Sequence, residues 1–301
     1  MRIRATKMDG CGNSFLVIDE IKNPLARFDR TKISNALAVQ HNTDGILYLD
    51  QQHGMPTMKI FDRDGTEETM CGNGLRCATR YFRDQYISSN IFPIVTGDGI
   101  KEVTVDNELV EVNLGSARDY CQVSDKMHFV FTGVPHLVVI GNEMSLESAK
   151  TLGKLLREDK SLCARVNHPE GINVNFIWRT LEGIAVRTYE VGVEDITLSC
   201  GTGSAASAYV ATKVYDLPLP ITTQSLGGNL EISDIGGELS IRGITRYQGK
   251  VIGFVNHAHP KSTIPSRYWQ RNNVSLWISN RNILNVDRIS TKHKPTLLPK
   301  T

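Results

Sequence analysis

The sequence predicts an α+β protein built from two pseudo-symmetric domains, each a curled, mostly antiparallel sheet around a central helix. Three observations predict it. Two stretches share one design: Glu68-Thr69-Met70-Cys71-Gly72-Asn73-Gly74 and Ile196-Thr197-Leu198-Ser199-Cys200-Gly201-Thr202-Gly203 each carry a short apolar or threonine-bearing run into Cys-Gly-x-Gly, and good helix formers follow. Each is followed by an alternating hairpin, over 96–112 after the first and 225–241 after the second. A length of 301 residues suits two domains of ordinary size, each able to bury its own core. The expected division is 1–120, 121–256 and a C-terminal extension, 257–301.

In chain order, a strand is expected over 3–8, then a glycine-hinged turn at Asp9-Gly10-Cys11-Gly12-Asn13 and the apolar run 15–18. A helix should span 30–38, strands 45–49 and 58–62, a turn Asp62-Arg63-Asp64-Gly65, and a helix 78–86 after the first cysteine. The second half offers strands over 128–131 and 137–140, a serine-started helix over 145–158, strands over 171–177 and 185–189, and a helix over 205–215. Val274-Ser275-Leu276-Trp277-Ile278 reads as an extra strand in a Pro- and Lys-bearing tail. That tail could cover a cleft, mediate dimerisation or do nothing.

A net charge of +2 points to neither nucleic acid nor a membrane surface as the main partner. Met1-Arg2-Ile3-Arg4-Ala5 leads into polar sequence without a signal-peptide core, and no stretch is long enough to span a bilayer, so a cytoplasmic protein is expected. The cysteines at 11, 71, 77, 121, 163 and 200 should then be reduced. No metal is expected, because Cys71 and Cys77 lack Cys-x2-Cys spacing and no His-x3-His accompanies them.

A cysteine where a helix begins has chemical consequences. The first N–H groups of a helix have no internal partners, so positive partial charge gathers there and a thiolate should be stabilised. Glycines beside it let a carboxylate approach the same N–H groups. One motif thus offers a base and an anion clamp. A single Cys-Gly-x-Gly is equally a core cysteine beside an ordinary turn; two copies between like elements favour the chemistry.

The ordered set Pro135-His136, Asn173-Val174-x-Phe176, Tyr189-Glu190-x-Gly192-Val193 and both Cys-Gly-x-Gly turns resembles the diaminopimelate epimerase family over roughly residues 3–255. The resemblance implies two pseudo-symmetric domains about a cleft and inversion of an amino-acid α-carbon by Cys71 and Cys200, without pyridoxal phosphate or another cofactor. It also implies that His136 and Glu190 set the protonation of the cysteines. Asn13, Asn73 and Asn173 would contact substrate, with Gly72, Asn73, Gly201 and Thr202 forming the backbone clamp. Three positions depart from the family at the distal end of its substrate: Asp62 and Val134 replace asparagines, and Val191 replaces the arginine that pairs the distal carboxylate. Asp9 stands in place of a first-turn histidine, and His41-Asn42-Thr43-Asp44-Gly45 is shorter than the family's loop.

The reading that follows is an amino-acid racemase whose substrate is single-headed, with Asp62 suggesting a basic one such as histidine, ornithine, lysine or arginine. Asp62 has a second reading as a turn cap. The alternative enzyme is diaminopimelate epimerase itself; a non-catalytic binding module of the same fold is a third possibility, and a homodimer is the expected assembly if there is one.

Overall fold

The computed structural model describes residues 1–25 and 28–255; the extension and its expected strand over 274–278 lie outside the described residues. The described residues belong to one compact unit.

The chain opens with β1 (Arg2–Gly10) and β2 (Asn13–Asp19), then α1 (Arg30–His41), β3 (Gly45–Gln52), β4 (Met55–Asp62) and the two-residue β5 (Glu67–Glu68). Helix α2 (Gly72–Gln85) follows, then β6 (Ile91–Thr96), β7 (Gly99–Asp106), β8 (Leu109–Gly115) and β9 (Arg118–Ser124). Next come β10 (Met127–Phe131), β11 (Pro135–Ile140), α3 (Leu146–Glu158), α4 (Lys160–Arg165), β12 (Asn173–Arg179) and β13 (Gly183–Tyr189). Helix α5 (Gly201–Val214), β14 (Ile221–Ser225), β15 (Gly228–Ile235) and β16 (Glu238–Phe254) complete it.

Strands β1, β2, β3, β4, β6, β7, β8 and β16 hydrogen-bond in that order, and β16 returns to β1, so eight strands close into a barrel-like ring. The second set runs β9, β10, β11, β12, β13, β14, β15, β16. The two sets repeat one pairing pattern: antiparallel hairpins interrupted by parallel steps at β2–β3 and β4–β6 in the first, and at β11–β12 and β13–β14 in the second.

Two long strands tie the sets together. Along 239–244, β16 pairs with β8, and along 245–254 it pairs with β1. Symmetrically, β8 pairs with β7 and runs through residues 116–117 into β9, which pairs with β10. The expected boundary at residue 120 falls inside β9.

Helix α2 packs inside the first set and α5 inside the second. On α5 the residues facing the sheet are small, with Ser204, Ala205, Ala206, Ser207, Ala208 and Ala211 all buried. Small side chains let an axis lie close to a curved sheet on every side. Leu75, Ala78 and Phe82 of α2, Ala205 and Ala208 of α5, and Ile241 of β16 belong to one continuous core. A satellite core under α1 contains Ile33, Leu37, Leu16 and Ile46.

Several expected bounds need correction. The central helices begin at Gly72 and Gly201, several residues before the predicted starts, so the glycines form their first turns and the cysteines are the N-cap residues Cys71 and Cys200. The runs leading into the cysteines form only the short strand β5 and an isolated bridge between Tyr189 and Ile196. Helix α1 runs three residues past the predicted end, to the left-handed cap Asn42. Strands β6 and β9 and helix α4 had no strong periodic signal; β9 is exposed at every position except Val123 and therefore does not alternate.

Candidate active site

The two cysteine-capped helix ends meet. A Cβ built on Gly201 would lie 3.6 Å from the Cα of Gly72, and one built on Gly72 would lie 3.8 Å from the Cα of Gly201. Both would run into the Cδ1 of Ile241 on the shared strand, at 2.9 and 2.8 Å. Only glycine fits at either position without moving that side chain. The first turns of both helices are therefore in contact, and the partial positive charge of the two helix ends favours an anion beside them.

Asn73 stitches the junction. Its Nδ2 donates to the carbonyl of Ser199 at 3.1 Å and to Oδ1 of Asn13 at 3.3 Å. Its Oδ1 is buried and has no hydrogen-bond partner among the described residues. An orphan acceptor beside an anion site suits the ammonium of an α-amino acid.

Around Cys200, the Sγ accepts from the Gly203 N–H at 3.3 Å and lies 3.5 Å from Thr202 Oγ1. The Glu190 carboxyl acts on the same sulphur, and it accepts from the Thr197 hydroxyl at 3.1 Å. His136 is fully buried, with Nε2 3.0 Å from Thr202 Oγ1 and Nδ1 3.0 Å from Asn175 Nδ2. Among the described residues, His136 thus reaches Cys200 through Thr202.

The expected low thiol pKa is overturned. Burial pushes the Cys71 thiol up to about 11, and the nearby carboxylates of Asp62 and Glu190 add to it, while the N–H groups of Gly74 and Asn73 oppose them. Burial pushes Cys200 well up too, with the charge of Glu190 and its hydrogen bond next, against Thr202 and the Gly203 N–H. The helix ends act in the predicted direction, but burial outweighs them. Glu190 is likewise raised, chiefly by burial. Burial holds His136 down to about 3, so it is a neutral imidazole.

The remaining expected residues sit at the edge. The amide of Asn173 is occupied within the protein: Nδ2 donates to the Pro135 carbonyl at 3.2 Å, and Oδ1 accepts from the Val191 N–H at 2.9 Å. Asn173 thereby ties together the segments that carry Val134 and Val191, whose side chains are 40 % and 39 % exposed and free to face a ligand. Asp62 ends β4; its backbone N–H donates to the Thr66 carbonyl and its own carbonyl accepts from the Gly65 N–H, so the turn is closed by the backbone. Local desolvation, then the carboxylates of Glu68, Asp64, Glu190 and Asp44, push the Asp62 carboxyl up to about 7, although its exposure to solvent screens that crowding.

Asn175, hydrogen-bonded to His136, is the residue of this cluster that the sequence reading passed over. Strand parity could have found it, since residues two apart on a strand share a face and Asn173 was already singled out. All six cysteines are unpaired, and among the described residues no cluster of three or more His, Cys, Asp or Glu could hold a metal. Among them, too, no helix is long and apolar enough to cross a membrane.

Comparison with known proteins agrees with this geometry. The sequence pattern of the family described as diaminopimelate epimerase matches residues 5–119 and 128–251. A protein from Methanocella arvoryzae named diaminopimelate epimerase is 35 % identical over 278 residues, covering 83 % of this chain and 97 % of that protein. Among solved structures, a Bacillus anthracis phenazine biosynthesis protein of the PhzF family superposes with a TM-score of 0.66 at 13 % identity, over 85 % of this chain and 100 % of that one. A hydroxyproline epimerase from Agrobacterium vitis, with bound trans-4-hydroxy-L-proline, does so at 0.59 and 14 % identity, over 83 % and 90 %. These two likenesses show the fold. Paired cysteine-capped helix ends, repeated sheets and a family match over most of the length lead to one conclusion: the chain belongs to the diaminopimelate epimerase family, isomerases of the racemase and epimerase class that work without pyridoxal phosphate.

Proposed function

We propose that the chain inverts the α-carbon of an amino acid by moving protons between two thiols, with no added cofactor. The observation that carries this is the meeting of the Cys71 and Cys200 helix ends over Ile241. A substrate carboxylate seated beside the Gly72–Gly201 contact, at the N-terminal ends of α2 and α5, would receive N–H donors from both helices, leaving the α-carbon between the two sulphurs. One cysteine, as thiolate, takes the α-proton from one face while the other delivers its own proton to the opposite face. The electron pair released by the C–H bond passes into the carboxylate, whose developing charge the fixed N–H groups stabilise. Glu190, close enough to Cys200 to shift its thiol and itself raised by burial, is suited to holding the proton that Cys200 must lose to become a base. In the reverse direction the cysteines exchange roles.

For the substrate, the relatives support diaminopimelate over a histidine-like amino acid, since the family and the curated relatives carry that name at 29–35 % identity. One observation favours the second reading, a single-headed basic amino acid. The edge of the site carries Val134, Val191 and the carboxylates of Asp62, Asp44 and Glu68, with valine where the family has arginine. A distal carboxylate buried there without a cation would cost several kcal/mol, on the order of an unpaired buried charge. The test is α-deuterium incorporation from D2O into LL-diaminopimelate, L-histidine, L-ornithine, L-lysine and L-arginine side by side. Fastest exchange into diaminopimelate supports the first reading, and exchange confined to a single-headed amino acid supports the second. A protein that labels none of them, yet binds them, is the binding module.

A further inference from the structure

Asn175 stands at the base of a hydrogen-bond chain that ends on Cys200. It is fully buried, and its amide orientation is fixed from three sides. The Nδ2 group donates to the carbonyl of Leu137 at 3.3 Å and to His136 Nδ1 at 3.0 Å, while Oδ1 accepts from the Thr188 hydroxyl at 2.9 Å. A flipped amide would set Oδ1 against the Leu137 carbonyl, two acceptors with no proton between them. His136 Nδ1 is therefore an acceptor. In a neutral imidazole the other nitrogen then carries the hydrogen, so Nε2–H donates to Thr202 Oγ1 at 3.0 Å. With that lone pair engaged, the single Thr202 hydroxyl proton is free to point at Cys200 Sγ, 3.5 Å away. Every proton in the chain leads towards the sulphur.

We propose that Asn175 is a positioning residue that locks His136 in its Nε2–H tautomer and so makes Thr202 a standing donor to the Cys200 thiolate. This rests on the reading of Cys200 as one of the two acid–base groups, and it deepens that reading. It gives His136 the part of a neutral relay of hydrogen-bond polarity; the proton lost by Cys200 goes to Glu190 on the sulphur's other flank. The lock is local and tight. A Cβ on Gly203 would lie 2.4 Å from Asn175 Oδ1 and 3.1 Å from Thr188 Oγ1, so the first turn of α5 packs directly on the amide. The charged or titratable groups bearing on Cys200 are Glu190 at the end of β13 and, acting on Glu190, Asp44; a pH profile therefore reports Glu190 together with the thiol.

The direct test is the tautomer itself, read from the 15N shifts of His136 in the full-length protein labelled at histidine. The expected result is Nε2–H across neutral pH. In Asn175→Asp an acceptor faces Nδ1, the ring should switch to Nδ1–H, and the Thr202 hydroxyl should turn back to Nε2. Exchange of the substrate α-hydrogen should then fall about 10- to 100-fold, the worth of one hydrogen bond to a charged group, with the alkaline rise of the pH profile displaced upward. Thr202→Ser should keep most activity and Thr202→Val should lose it to a similar degree; this pair carries the test if Asn175→Asp does not fold. A wild-type Nδ1–H ring, a switched ring with undiminished exchange, or Thr202→Val matching Thr202→Ser would each overturn the proposal. None of those results touches the two-thiol reading, which fails separately if Cys200→Ala racemises normally.

Discussion

Gly201→Ala puts one methyl group at the point where the two helix ends meet. Its Cβ would lie 2.9 Å from Ile241 Cδ1 and 3.6 Å from Gly72 Cα. The Ile241 contact is with the free end of a rotatable side chain, so relief costs about 0.5–1.5 kcal/mol of off-rotamer strain. Alanine inside a helix recovers about 0.5–1 kcal/mol over glycine. The two nearly cancel, and Tm should move by no more than about 4 °C for a unit of this size. Activity should respond differently. The methyl would press on Ile241 and the facing Gly72, shifting the two helix ends whose N–H groups would hold the carboxylate, and losing one preorganised donor lowers a rate by about 10²–10³. Thermal unfolding by circular dichroism and α-deuterium incorporation, measured on one preparation, separate the two effects. Normal exchange with unchanged Tm would refute the clamp. A collapse of Tm would refute the packing argument.

Cys71→Ala and Cys200→Ala should each abolish racemisation, while Cys11→Ser, Cys121→Ser, Cys163→Ser and Cys77→Ala should retain most of it, as followed by polarimetry. His136 has a folded pKa held below its unfolded value, so the stability it contributes is present above about 6.5 and is lost as pH falls towards about 3. Tm measured over that range should drop, and His136→Gln should flatten part of the slope. Arg76 is fully buried with Nε and Nη2 unpartnered among the described residues, its one bond being from Nη1 to the Gly72 carbonyl at 3.5 Å. Replacing a buried, poorly paired charge with an apolar side chain of similar length is often neutral or stabilising, so Arg76→Met should leave the unfolding free energy unchanged or higher by chemical denaturation. A loss of several kcal/mol would mean that ordered water satisfies the guanidinium.

The duplication was legible because each Cys-Gly-x-Gly stands before a hairpin of the same alternation, and both hairpins occur in the structure as β7–β8 and β15–β16. The glycines misled the helix starts. Read as turn formers, they proved to be first-turn residues, required by the mutual approach of Gly72 and Gly201, and no local pattern reports an approach between residues so far apart in sequence. The thiol pKa values were misjudged for a similar reason: the helix end is visible in sequence, whereas the burial and carboxylates that outweigh it are assembled from β4, β13 and both helices. Thr202 was expected as a backbone clamp, but its hydroxyl also links His136 to Cys200, a contact that depends on β11 and α5 packing together. The exchange of long strands through β16 and β8–β9 was hidden as well, because an exposed strand such as β9 has no apolar period to read.

The two-thiol account is tested most directly by the isotope content of product at early times in D2O. Each cysteine carries a solvent-derived deuteron before it acts as the acid, and the proton taken from substrate leaves on the other sulphur. The account predicts that the first inverted molecules carry α-deuterium almost completely while recovered substrate remains unlabelled. Inverted product that keeps its original α-proton would mean that one group removes and returns the same hydrogen, and would contradict it.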